Sequence, residues 1–213
     1  MVSQFWEWIS KLSPPQASFF GTVVGSGLGF ASLALGALFN FRLNRRRDAL
    51  LRSDEADAVT AALYGEMTVI RRELARTATI VAKTEMHHST YEKHFPELVQ
   101  LPEPMIYRAL AGRLGLLRPE WLLPIAEFYT NVELVRVWVP RLVKPEDRRF
   151  EYHPLSVLDP ALNAIKIIEP VMLAMSVRLR FASAPETLDL VHITDIAEDQ
   201  RDMLENPPQR DGS

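Results

Sequence analysis

The chain has 213 residues, 24 of them basic and 27 acidic, for a net charge of −3, and 47% are hydrophobic. That balance excludes the broad positive charge of a nucleic-acid binder, and the lack of cysteine excludes disulfides, thiolate metal sites and cysteine nucleophiles. The averages hide an uneven distribution, because no charged residue occurs between Lys11 and Arg42.

The chain opens with VSQFWEWISKL, where Val2, Phe5, Trp6, Ile9 and Leu12 recur at helical spacing before Pro14 and Pro15 break the pattern. The spacing predicts a short amphipathic segment over residues 1–16, lying at a membrane interface with Trp6 and Trp8 as aromatic anchors.

Ala17 to Phe41 follows as an uncharged, largely apolar run. At ~1.5 Å per residue, a helix of this length exceeds the roughly 30 Å of a hydrocarbon core, so residues 17–41 are predicted to cross a membrane with some tilt. A cleaved signal peptide is the main rival, but it requires a basic start and a shorter apolar core, whereas Glu7 and Lys11 precede this run. Five of the nine glycines fall inside it, yet in lipid the helix must satisfy its own backbone, so the aqueous penalty of glycine is a poor guide. Ser18, Thr22, Gly25, Gly29, Ser32 and Gly36 recur at alternating four and three spacing, which gives one helix face of small residues suited to self-association.

Arg42, Arg45, Arg46 and Arg47 close the run. Positive charge favours the cytoplasmic side, which predicts an N-terminus outside and residues 42–205 in the cytoplasm. Binding of anionic lipid heads is the other role open to these arginines, and the topological one is preferred because basic flanks are common to most spans.

Beyond Asp48 the pattern is helical. Leu63, Met67, Ile70, Leu74, Thr77 and Val81 form a stripe, and no proline between Pro15 and Pro96 interrupts a helix continuing from the span. PELVQLPEP, residues 96–104, predicts a connection, and MIYRALAGRLG a short helix closed by Gly115. A further helix starts near Pro119 and Glu120, with Trp121, Ile125, Phe128, Val132, Val135, Val139 and Leu142 as the most regular apolar stripe in the chain. Asp159 is predicted to cap the next helix, with Leu162, Ile165, Ile168, Met172, Met175 and Leu179 on its apolar face. SAPE, residues 183–186, matches a capping box and predicts the start of a last acidic helix reaching Glu205, before a disordered tail over 206–213. The fold expected is all-α, an interfacial segment and one transmembrane helix followed by a cytoplasmic bundle of about four to five helices.

Chemistry is sparse. His87, His88 and His94, with Glu85 and Glu92 near them, match no zinc spacing, and a polar helix end accounts for them, so no metal is expected. Phosphate-binding glycine loops and nucleophile elbows are absent, so no catalytic residue, cofactor or nucleic-acid partner is expected.

ALYGEMTVIRREL and MIYRALAGRLGLLRPEWLLPIAEFYTNVELVR resemble segments of uncharacterised bacterial proteins, a domain of unknown function with one N-terminal membrane helix and an all-helical cytoplasmic region. The resemblance covers roughly residues 17–140, rests on patterning, and carries over no functional residue. It implies a protein of the bacterial inner membrane. The function expected is a membrane-anchored interaction or scaffold protein, whose partners are the lipid bilayer, a second copy of itself or an unknown protein. A small pore or toxin-like effector is the alternative, weakened because the span offers a lumen few polar groups, Ser18, Thr22, Ser26 and Ser32 among them, and no charge.

Overall fold

A computed structural model describes residues 13–87, 89, 91–143, 153–181 and 184–206. Every regular element among them is helical. The first, α1, runs over Pro14–Met86 without a break. Its two leading prolines sit where helical N–H groups have no partner, and the Ser13 N–H donates to Gln16 Oε1 at 3.1 Å, one half of a capping box. Residues 1–12 of the predicted interfacial segment, Trp6 and Trp8 among them, lie outside the described residues, as does the tail beyond Asn206, while residues 14–16 already belong to α1.

The chain divides at Ser53–Asp54 into two compact units. In the N-terminal unit nearly every described side chain is exposed, including Phe19, Phe30 and Leu33, each more than 70% exposed. An 18-residue window of α1 has a mean hydropathy of 1.7 and no buried residue.

The C-terminal unit contains the rest of α1, then α2 (Phe95–Leu98), α3 (Met105–Leu110), α4 (Pro119–Trp138), α5 (Leu155–Leu179) and α6 (Val191–Glu205). A short 3₁₀ helix, Ala111–Leu116, extends α3, and another, Val139–Val143, extends α4. Its core is built from three stripes. Leu63, Met67, Ile70, Leu74, Thr77 and Val81 of α1 are all buried. So is the whole run from Trp121 to Leu142, which stays in phase through Pro124 and into the 3₁₀ turn holding Pro140. From α5 come Leu158, Ile165, Ile168, Met172 and Met175. Helices α4 and α5 pack along their length, and α6 covers α5 with Ile193 and Ala197 buried. The apolar window of α5, mean hydropathy 1.3, has half its residues in this core.

Three helix boundaries differ from the sequence reading. Helix α5 begins at Leu155, ahead of Asp159 and Pro160, because Leu155, Val157 and Leu158 are buried there. Burying such side chains stabilises by about 1.5–3 kcal/mol each, more than the one hydrogen bond Pro160 removes. Asp159 instead accepts from Arg201 Nη2 at 2.9 Å, tying α5 to α6. Helix α6 begins at Val191, not at Ser183, because Glu186 is engaged elsewhere: its carbonyl accepts from Arg71 Nη1 at 2.7 Å and its carboxylate from Arg72 Nη2 at 3.1 Å. Gly115 does not stop α3 in a left-handed conformation; it lies within the 3₁₀ turn, and no described glycine has positive φ.

Candidate functional site

Two places in the chain concentrate groups beyond what packing requires. The first is the N-terminal part of α1. Ser18, Thr22, Gly25, Gly29, Ser32 and Gly36 are exposed along one helix face. Two of its hydroxyls bond within the helix, Thr22 Oγ1 to the Ser18 carbonyl at 2.9 Å and Ser32 Oγ to the Leu28 carbonyl at 2.8 Å. Such back-bonding satisfies these two donors in an apolar medium. Beyond the backbone of the adjoining helical turns, nothing lies within 4 Å of the position a Cβ would take at Gly25, Gly29 or Gly36, so the space above the face is open.

Arg42, Arg45, Arg46 and Arg47 follow, all exposed. The Arg45 guanidinium lies 5.8 Å from the centre of the Phe41 ring. Leu38, Phe41, Arg42, Arg45 and Arg46 line a shallow groove of about 360 Å³ from which Arg47 is turned away.

The second place is inside the C-terminal unit and centres on Glu66, a buried acid. Pro104 precedes α3 and has no side chain able to cap it. Glu66 performs that task from another helix: Oε1 accepts from the Ile106 N–H at 2.6 Å and Oε2 from the Tyr107 N–H at 2.9 Å. These are the second and third residues of α3, whose N–H groups have no partner inside the helix and whose dipole favours a negative charge.

The Tyr129 hydroxyl donates to the same Oε2, and its ring stacks on Tyr107 with centres 3.9 Å apart and planes 15° apart. Burial first, then the hydrogen bond to Glu66 and its charge, push the Tyr129 phenol far above the ordinary tyrosine range, so it acts as a neutral donor. Beside the stacked rings a groove of about 430 Å³ is lined by Tyr107, Arg108, Tyr129, Thr130, Glu133 and Leu134 among others. At its edge Arg108 pairs with Glu133 at 2.9 Å, and Glu133 in turn meets Arg136, which also pairs with Glu103, both at 3.1 Å. The carboxylate oxygens of Glu66 are both engaged by donors from this chain, so the cluster acts as a joint binding α1, α3 and α4 together.

Sequence reading missed this cluster. The available signal was Glu66 itself, three residues after Leu63 and four before Ile70, a lone acid on the edge of a core-facing stripe. His87 is exposed at the end of α1, His94 faces Glu97 at 3.3 Å, and His88 lies outside the described residues. Among the described residues no three histidines and acids gather as a metal site.

No family model, curated protein or solved structure matches this chain.

Proposed function

We propose that the chain is a membrane-anchored helical interaction protein, of the kind its sequence resemblance implies. In this reading residues 17–41 cross the bacterial inner membrane, the N-terminus lies outside, and the helical unit works in the cytoplasm. The observation that carries it is the first part of α1: an uncharged helical stretch of exposed phenylalanine, leucine and glycine, long enough to span, ending in four arginines. In water that surface would be a large unpartnered apolar area, which soluble monomers rarely carry. In lipid it is already solvated. Helix α5 passes the same test of length and composition, but half of its window is committed to the core, which favours α1 as the anchor. The small-residue face of α1 supports self-association within the bilayer.

The test is fractionation combined with reporter fusions. Resistance to alkaline carbonate, with fluorescence and no phosphatase activity from reporters fused after Ser213, is the expected result. Release by carbonate, or a C-terminal phosphatase that is active, overturns the anchor or its orientation respectively. Neutralising Arg42, Arg45, Arg46 and Arg47 together is expected to yield a mixed orientation.

A further inference from the structure

We infer that Arg42, Arg45 and Arg46, with Leu38 and Phe41 before them, form a binding site for an anionic phospholipid carrying two phosphate groups. The inference rests on the membrane reading above and asks more of the arginines than setting orientation.

Placement is the first argument. The five residues recur at spacings of three, one, three and one, so they share a single stripe of α1 and line one groove. Along the helix the apolar pair comes first and the basic trio second, which matches the order from acyl chain to headgroup in the cytoplasmic leaflet. Phe41 lies at the junction, with the Arg45 guanidinium 5.8 Å from its ring centre. That contact steers a long, otherwise mobile side chain.

Pairing is the second. Several arginines of the C-terminal unit are matched with acids of the same chain, Arg108 with Glu133, Arg178 with Asp57 and Arg201 with Asp159. None of Arg42, Arg45, Arg46 and Arg47 meets a carboxylate among the described residues, although Asp48 follows directly in sequence. The donors of the groove are therefore free for an outside anion.

Charge selects the ligand. Three guanidiniums facing one groove outnumber a single phosphodiester, whereas a headgroup with two phosphates lets two of them bind in bidentate fashion and the third bridge. Leu38 and Phe41 supply the apolar wall that a soluble phosphate could not use.

The test is retention of lipid by the full chain, extracted from membranes in mild detergent, exchanged with cardiolipin or phosphatidylglycerol at matched total charge, and read by native mass spectrometry. Wild type is expected to retain cardiolipin preferentially. Arg42→Lys with Arg45→Lys and Arg46→Lys keeps every charge but loses the planar fork, and is expected to weaken retention about tenfold or more, as befits loss of charge-assisted contacts. Arg47→Lys, off the groove, is expected to behave as wild type. Equal retention by wild type and the triple lysine variant, or no preference between the two lipids, overturns the site. Displacement by inorganic pyrophosphate at the same concentration overturns the lipid assignment. Carbonate release of the wild-type chain before detergent would instead show that the membrane reading itself had failed. Reporter fusions on the triple lysine variant are expected to keep their orientation, since its charge is unchanged.

Discussion

The Tyr129 hydroxyl donates to Glu66 Oε2 at 2.7 Å within the C-terminal unit, joining α4 to α1 through a carboxylate that also caps α3. Removing either partner has unequal consequences. Tyr129→Phe deletes one donor, and Oε2 keeps the Tyr107 N–H, so the expected loss is about 1–2 kcal/mol. Glu66→Ala leaves the buried Tyr129 hydroxyl and two N–H groups of α3 without their partner, and about 2–4 kcal/mol is expected. Thermal unfolding of the full chain in mild detergent orders the two variants. A smaller loss for Glu66→Ala than for Tyr129→Phe would contradict the capping role.

The same pair sets a pH dependence. Tyr129 is held neutral by burial, by its bond to Glu66 and by that carboxylate's charge; Tyr91 is raised too, by burial and then by Glu85, to which it donates at 2.6 Å. Unfolded tyrosine ionises near pH ~10, whereas both folded phenols keep their protons to higher pH. Their contribution is therefore complete below about pH 10 and declines as pH rises beyond it. Tyr91→Phe with Tyr129→Phe is expected to be less stable at neutral pH, yet to lose less stability between about pH 10 and pH 11. Parallel alkaline unfolding curves for variant and parent would exclude both phenols from the transition.

Phe128 lies at the centre of the α4 stripe and is fully buried, with its ring edge-on to Tyr129 at 5.1 Å. Phe128→Ala is expected to cost about 3–5 kcal/mol, a large part of the stability of a typical domain. Leu123→Ala on the outer face of the same helix, where Leu123 is 66% exposed, is expected to stay within about 0.5 kcal/mol. Equal melting temperatures for the two variants would remove Phe128 from the core.

Arg71 is buried and holds residues 184–190 against α1 through the Glu186 carbonyl, with Glu169 a further 3.5 Å partner and its own Nε without one. Arg71→Ala is expected to release this strap, so that a glutamate-specific protease cuts after Glu186 faster than in the parent. Unchanged cleavage there would mean that Arg72 and the flanking packing suffice to hold the segment.

Self-association is read most directly at Gly25 and Gly29. Beyond the backbone of its own helical turns, a Cβ at either position meets no atom within 4 Å, so the space there is open to a partner. Gly25→Ile with Gly29→Ile is expected to abolish the signal in a membrane two-hybrid assay, while Leu33→Ile preserves it. A double variant that associates as well as the parent removes these glycines from any interface.

Periodicity made the core legible. The stripes from Leu63 to Val81 and from Trp121 to Leu142 are buried throughout, because an apolar face at helical spacing has few other places to go. Helix starts were less legible. Local caps at Asp159 and SAPE are worth about 1 kcal/mol each, and burial of Leu155 to Leu158 and the Arg71–Glu186 contact outweigh them. Glu66 was hidden for a related reason: its partners are 40 or more residues away, a distance that no local pattern encodes.

One residue shows how much stability the fold leaves unclaimed. Arg180 ends α5 at φ 55° and ψ 39°, the only non-glycine residue with positive φ among those described. The turn it makes returns the Phe181 N–H to the Ser176 carbonyl at 3.0 Å and brings the Phe181 ring to 5.0 Å from Tyr64. A side chain in that conformation carries roughly 1–2 kcal/mol of strain that glycine does not, offset in part by the greater freedom of glycine in the unfolded chain. Arg180→Gly thus gives protein engineers a route to a hardier version of this helical unit that leaves its interior untouched.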